Sequence, residues 1–391
     1  MGRLEDGRVV FVPFALPGEL IEAEIVEEKR GFVRGAFAQV LEESPKRIQA
    51  RCKHFMECGG CHYQHMTYKD QLEAKSEIVV DQLKRIGGIE DVPIKEIIAS
   101  DLEWNYRNNV QFHLDKEGRL GFNASRSDKV IPLEECFMMQ EELEKLWPVL
   151  SFEANSDIKR ISLRSGAEGD VMLVIETKSD EALDFSVDFP ISAVQLGPDS
   201  YYVLSGEDFI QTEIMGRTFR VTANAFFQVN TGTAEKMIGH LLDILPLTND
   251  MTVLDLYCGV GLFSAFIAPK VEHLVGVESH PQAVEDFVVN LDEFENVELY
   301  AGRAERVMKG LELKPDLILV DPPRSGMDRH VLDAVAELQP KYLAYISCDP
   351  ATLARDAKRL ISKGFSLTQI TPVDMFPQTF HIETVSLWER E

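Results

Sequence analysis

The chain has 391 residues, 45% of them apolar, enough for two or three domains that each bury a core. No run approaches an apolar membrane span, and the opening Met-Gly-Arg-Leu-Glu-Asp is not a signal-peptide segment, so a cytoplasmic protein that acts as a monomer away from membranes is expected. A net charge of -25 with a pI near 4.8 argues on its face against a polyanionic partner, because phosphate binding draws on Lys and Arg.

Residues 9–40 alternate in strand fashion, Val-Val-Phe-Val-Pro and then Leu-Ile-Glu-Ala-Glu-Ile-Val, with Pro17-Gly18 as a turn and a third strand over 32–40. This predicts a small β-barrel of the oligonucleotide-binding kind over residues 1–44, on which Arg30, Phe32, Arg34 and Phe37 interleave charge with aromatic rings. Lys46, Arg47, Arg51 and Lys53 follow. Local fields matter more to a polyanion than the total, so these cations and Arg107 are expected to form a positive face.

Six cysteines stand at 52, 58, 61, 136, 258 and 348. The first three fall in Arg-Cys52-Lys-His-Phe-Met-Glu-Cys58-Gly-Gly-Cys61-His, and such bunching in a cytoplasmic chain favours a metal over disulfides. Gly59 and Gly60 let the backbone wrap, and Cys136 is a candidate fourth thiolate brought in by folding. Four thiolates suit zinc or an iron–sulfur cluster, with His54, His62 and His65 as the zinc-side alternative, and the spacing leaves both open. A central domain over 45–215 would hold this group. In it, residues 68–86 read as one helix ending at Gly87-Gly88 and packing on the catalytic domain, and 104–122 and 158–176 read as hairpins. Residues 179–200 are acidic and turn-rich.

From residue 216 to 391 apolar runs alternate with helical stretches: 253–257, 274–278, 297–300, 317–321 and 342–347. That is the pattern of a doubly wound parallel sheet, an α/β domain. Asp255-Leu-Tyr-Cys-Gly-Val-Gly261 turns from strand to helix with two of the three glycines of a dinucleotide fingerprint. Glu278 closes the next strand nineteen residues after Gly259, where it can bind ribose hydroxyls. This looks like an S-adenosylmethionine site rather than an NAD site. Asp321-Pro-Pro-Arg-Ser-Gly326 ends another strand in a stiff loop. The run 341–349 delivers Cys348 to a helix start, with Asp349 as its cap and Pro350 in its first turn, and the helix dipole is expected to lower the thiol pKa. Gly259, Glu278, Asp321 and Cys348 all stand at strand ends, where open α/β sheets bind ligands.

The motifs Phe226-Phe-Gln-Val-Asn230, Leu256-Tyr-Cys-Gly-Val-Gly261, Asp321-Pro-Pro-Arg324, Ser347-Cys-Asp-Pro350 and His381-Ile-Glu-Thr-Val385 together resemble the RNA uracil-5-methyltransferases, nearly end to end. The resemblance implies a TRAM barrel at the N-terminus and a Rossmann-like methyltransferase domain. It implies Gln228, Tyr257, Glu278 and Asp321 as the S-adenosylmethionine residues, Cys348 as nucleophile and Glu383 as general base. It also implies Cys52, Cys58, Cys61 and Cys136 as ligands of a [4Fe-4S] cluster. RNA is the implied partner, 23S rRNA by likeness to the cluster-bearing branch, with tRNA as the alternative.

Two departures stand out: a short first strand, and Asp349 where Asn is frequent in the family. By the period-two rule His381 and Glu383 are expected on one face of the last strand, and Phe226 or Phe227 beside a flipped base. The competing readings are an RNA-binding or ribosome-assembly protein without turnover and a methyltransferase for exocyclic base nitrogens. Arg324, in place of an aromatic residue, speaks against the second.

Overall fold

The computed structural model describes residues 2–4, 6–154, 156–187 and 189–390. Met1 and Glu391, the outermost residues of the two flanking domains expected from the sequence, lie outside them. The N-terminal alternation forms a four-stranded sheet in the order Gly2–Arg3, Val9–Phe11, Phe32–Glu42, Leu20–Glu28. Its first strand has only two residues, which pair with Val9 and Val10.

The central segment carries a seven-stranded sheet, ordered Tyr201–Ser205, Ser192–Leu196, Val171–Thr177, Ile158–Ser165, Asn109–Leu114, Leu120–Asn123, Val130–Pro132. Both expected hairpins are present, and Gly118 (φ 81) makes the first turn. The stretch read as merely turn-rich contributes Ser192–Leu196, buried and parallel to Val171–Thr177. Five residues in an acidic surround are too few for periodicity to register.

The last seven strands form the catalytic sheet: β1 (Thr252–Leu256), β2 (His273–Glu278), β3 (Val297–Ala301), β4 (Leu317–Val320), β5 (Tyr342–Ser347), β6 (Phe365–Val373) and β7 (Glu383–Arg390). Their order is 3-2-1-4-5-7-6, with β1 to β5 parallel and β7 antiparallel to both neighbours. The order reverses between β1 and β4, so the loops after these strands open a crevice at the carboxyl edge. Both faces are covered, which is why these strands read as unbroken apolar runs.

Helix α1 (Tyr68–Gln82) continues into a π-helical turn, Leu83–Gly87, and stops at Gly88 in the left-handed conformation (φ 74). Val79 and Leu83 enter the core on one face of the catalytic sheet beside Leu353 and Ala354 of helix α2 (Pro350–Ser362). A Cβ at Gly87 would lie 3.3 Å from the Ala354 carbonyl, a close helix approach. The hairpin Phe209–Ile214 and Arg217–Thr222 turns at Met215-Gly216 and so spans the 215/216 division expected from the sequence. Its Ile210, Ile214, Phe219 and Val221 pack on the opposite face of that sheet.

Candidate active site and thiol cavity

The first strand-to-helix turn is tight: Tyr257, Gly259 and Gly261 have φ of 64, 55 and 88. The two glycines do different work. A Cβ at Gly261 would come within 2.2 Å of Leu291, whereas one at Gly259 would meet nothing within 4 Å, leaving bare backbone open to a ligand. Glu278 joins this turn from β2, accepting from the Gly259 N–H (3.0 Å) and, through its other oxygen, from the Ser279 and His280 N–H groups (2.6 and 2.7 Å). Behind the turn Asp255 is buried, accepts from the Ser264 hydroxyl (2.5 Å), and is pushed up to about 7 by burial. Tyr257 lines a cavity of about 910 Å³ that runs along the 323–329 loop to Arg355 of α2. Gln228 is buried; its carbonyl accepts from Asn108 Nδ2 (3.0 Å).

Helix α2 begins where Cys348 leaves β5. Asp349 caps it, accepting from the Thr352 N–H (2.8 Å), and Pro350 opens it. The same helix anchors the Asp321 loop. Thr352 Oγ1 donates to the Arg324 carbonyl (3.1 Å) and Arg355 to that of Ser325 (2.9 Å), while the buried Asp356 accepts from the Met327 N–H (3.1 Å) and the Tyr345 hydroxyl (2.8 Å). β5 and β7 pair Ile346 with Val385 and Ser347 with Thr384. One step further, Cys348 and Glu383 stand across from each other at the strand end.

The electrostatics of this corner differ from the expectation for the thiol. Cys348 is pushed up to about 12, not down: burial acts first, then the Glu383 and Asp321 charges, and only Arg324 opposes them strongly. Half a charge at a helix N-terminus does not outweigh desolvation plus two carboxylates. Burial likewise raises Asp321 to about 7, and burial with Asp321 raises Glu383 well above its ordinary value. His381 is not on the final strand, which starts at Glu383. It lies in the preceding loop, 3.4 Å from Arg324 through Nδ1, and burial holds it near 4 and neutral. Of the two phenylalanines, Phe227 belongs to the core and Phe226 is 70% exposed, so only Phe226 is free to meet a base.

Cys52, Cys58, Cys61 and Cys136 line one cavity of about 390 Å³. The Cys136 loop is tied on by the Glu134 N–H donating to His54 Nε2 (3.1 Å) and the Lys53 N–H donating to Glu135 (2.8 Å). Gly59 is required because a Cβ there would fall 2.7 Å from the Asn123 carbonyl. Burial pushes Cys61 and Cys136 up to about 12 and raises Cys52 and Cys58. Among the described residues no three His, Cys, Asp or Glu side chains are gathered around a single metal ion. Four thiols around one cavity, with Arg107 in its wall and the Arg107 Nε buried without a partner, are a donor set that suits a net-anionic thiolate group. Of the zinc-side histidines, His54 lines the same cavity with its Nε2 accepting from the Glu134 N–H, while His62 packs against Phe380 (4.3 Å between centroids) and His65 against Phe55 and Phe14 (5.5 and 6.1 Å).

The expected positive face is largely neutralised. Arg34 pairs with Glu27 (2.7 Å), Lys46 with Asp70 and Glu73 (3.0 and 2.7 Å), Arg47 with Glu19, and Lys53 with Glu134 (2.6 Å). Arg51 instead lies over Phe137 and Trp104, 4.0 and 5.2 Å from their centroids. Acidic neighbours distant in sequence account for the difference.

A doubly wound sheet with a glycine turn, an acidic residue closing β2 and a ligand crevice at the carboxyl edge defines the S-adenosylmethionine-dependent methyltransferase class. Comparisons narrow it. Residues 202–391 match the family model described as tRNA (Uracil-5-)-methyltransferase, and residues 1–38 match the TRAM domain. An uncharacterized RNA methyltransferase of Halalkalibacterium halodurans is 35% identical, over 98% of this chain and 93% of its own. One from Gloeobacter violaceus is 32% identical, over 100% and 93%. The crystal structure of Pyrococcus abyssi tRNA (uracil-54, C5)-methyltransferase with S-adenosyl-L-homocysteine shares the fold, with a TM-score of 0.74 at 24% identity, covering 99% of this chain and 98% of that one. The chain belongs to the RNA uracil-5-methyltransferase family, whose methyl donor is S-adenosylmethionine. No helix among the described residues is long and apolar enough to cross a membrane.

Proposed function

We propose that the protein methylates carbon 5 of one uridine in 23S rRNA through a covalent bond between Cys348 and carbon 6, with Glu383 as the base. The observation that carries this reading is the placement of Cys348 directly across from Glu383 at one strand end, with Asp321 and Arg324 acting on both. Carbon 5 of uracil is too weakly nucleophilic to take a methyl group unaided. Cys348 sulfur adds to carbon 6, breaking the carbon 5–carbon 6 double bond and giving an enolate, whose carbon 5 takes the methyl group as the sulfur–methyl bond breaks and S-adenosylhomocysteine leaves. The Glu383 carboxylate then removes the carbon 5 proton. Those electrons re-form the double bond, and sulfur leaves as thiolate.

The donor, held by Gln228, Tyr257, Glu278 and Asp321, supplies an electrophilic methyl group and a positive sulfonium charge. A cation beside Asp321 favours the ionised forms of Cys348 and Glu383, the two groups that must be anionic to act. Phe226, exposed, is assigned to stack against the flipped base.

The four thiols at 52, 58, 61 and 136 fit a [4Fe-4S] cluster, which would supply a covalent cross-link between the 52–61 loop and the Cys136 loop. We assign it a structural role. Three working units are assigned: an RNA-binding barrel (1–44), the thiol-bearing segment (45–215) and the catalytic part (216–391). We assign the enzyme to the cytoplasm, acting as a monomer. The test is incubation with radiolabelled donor and total RNA from a strain lacking the enzyme, followed by mapping. Label at one 23S uridine is expected; label in tRNA would move the substrate to tRNA.

A further inference from the structure

Helix α1 buries Gln71, Lys75 and Val79, one face at four-residue spacing. Val79 belongs there as core. A buried ammonium and a buried amide do not, unless fixed partners meet them. Those partners come from the connection between β6 and β7, residues 374–381. Lys75 Nζ bonds Asp374 Oδ1 (2.5 Å), both side chains fully buried, and donates to the Phe376 carbonyl (3.0 Å). Gln71 and Gln378 bond twice: Gln71 Nε2 donates to Gln378 Oε1 (3.0 Å), and the Gln378 N–H donates to Gln71 Oε1 (2.9 Å). The His62 and Tyr63 N–H groups donate to the Gln378 carbonyl (2.8 and 3.0 Å), and the Tyr106 hydroxyl to that of Pro377 (3.0 Å).

This connection is therefore bonded mainly to residues 62–106, with Asn230 Nδ2 also donating to the Met375 carbonyl (3.3 Å) and Met375 packed in the core of the sheet. It ends at His381 and Glu383, and Val373, paired with Glu383 across the strands, is followed at once by Asp374. The other half of the active site has a separate anchor, since Cys348 and the Asp321 loop are held by α2.

We propose that Gln71 and Lys75 are positioning residues for proton removal, holding the 374–381 connection so that Glu383 meets the carbon 5 proton. This rests on the base reading of Glu383. Although α1 packs on α2 through Val79 and Leu83, Gln71 and Lys75 bond the 374–381 connection and not α2, so loosening their grip acts on the second half-reaction and spares the first: sulfur still adds and the methyl group still transfers, but the adduct breaks down slowly. A base displaced by about 1 Å loses about two orders of magnitude in rate.

The experiment is a single turnover of the full-length protein with uridine-containing substrate RNA and methyl-labelled donor, quenched in denaturant so that protein-linked label separates from free RNA. For Gln71→Met, adduct formation within about twofold of wild type and breakdown slowed about tenfold or more are expected, with kcat lowered and the RNA KM unchanged. Gln378→Met, which leaves α1 intact, reads the same clasp from the other side should Gln71→Met not fold. Equal slowing of both phases, or of neither, in the folded variant overturns the proposal. Glu383→Gln is the control. If it fails to accumulate adduct, the base reading itself is wrong; if it accumulates adduct and both glutamine variants do not, only the positioning role is lost.

Discussion

The molecule holds one lone half-buried thiol and a set of four around one cavity, all pushed up but for different reasons. Cys348 is raised to about 12 by burial and by the carboxylates of Glu383 and Asp321, with Arg324 pulling the other way. Cys61 and Cys136 reach about 12 by burial and by the other thiols of their cavity. Each group is an anion site short of positive charge. One stands at the strand end beside Asp321, Arg324 and Glu383; the others line one cavity with Arg107 in its wall. On the proposed mechanism the donor's sulfonium completes the first site, and a thiol raised by burial is no mark of an inert cysteine when a bound cation completes its site.

The largest effects are expected at the reactive thiol. Cys348→Ala is expected to lower 5-methyluridine formation by about 10³-fold or more while donor binding, read by calorimetry, is retained. Glu383→Gln should cost about 10² to 10⁴ in turnover and, unlike Cys348→Ala, leave methylated RNA bonded to protein on a denaturing gel. At the other group, Cys136→Ser is expected to abolish the broad visible absorbance of an anaerobically reconstituted cluster and to lower Tm by several degrees. Unchanged absorbance would remove Cys136 from the ligand set.

Charge can then be varied without changing the protein. At mildly alkaline pH, iodoacetamide should alkylate Cys348 several-fold faster with S-adenosylmethionine bound than with S-adenosylhomocysteine, which has the same shape without the sulfonium charge. Equal rates would show that the cation does not act on the thiol. The smallest effect concerns Asp255. Its folded value is raised from 3.8 to about 7, so the folded state keeps a proton that the unfolded chain has lost in that window. Its contribution to stability therefore falls as pH rises from 3.8 to about 7 and stays low above it. Asp255→Asn should flatten that part of the Tm against pH curve by a few degrees.

What could be read from the sequence was what is local. The glycine turn, Glu278, Asp321 and Cys348 each close a short apolar run, and a parallel sheet buried on both faces makes such runs visible. The thiol cluster was legible for the same reason, three of its four cysteines lying within ten residues. The electrostatic state of Cys348 was not, because Glu383 comes from a strand that pairs back antiparallel, thirty-five residues on. The positive face failed likewise: Arg47 meets Glu19 and Lys53 meets Glu134 across the fold. The α1 clasp left a trace that could have been used. Gln71 and Lys75 sit at four-residue spacing in line with Val79 and Leu83, on what should be an apolar stripe, and a charge on such a stripe announces a buried partner.

The bond between Cys348 and carbon 6 of uracil can be trapped with 5-fluorouridine RNA, because fluorine at carbon 5 leaves no proton for Glu383 to remove. With donor present, mass spectrometry should find the methylated RNA fragment attached to the peptide that contains residue 348, and nothing attached in Cys348→Ala. A wild-type enzyme that methylates uridine RNA yet forms no such adduct, or an equal adduct in Cys348→Ala, would contradict it.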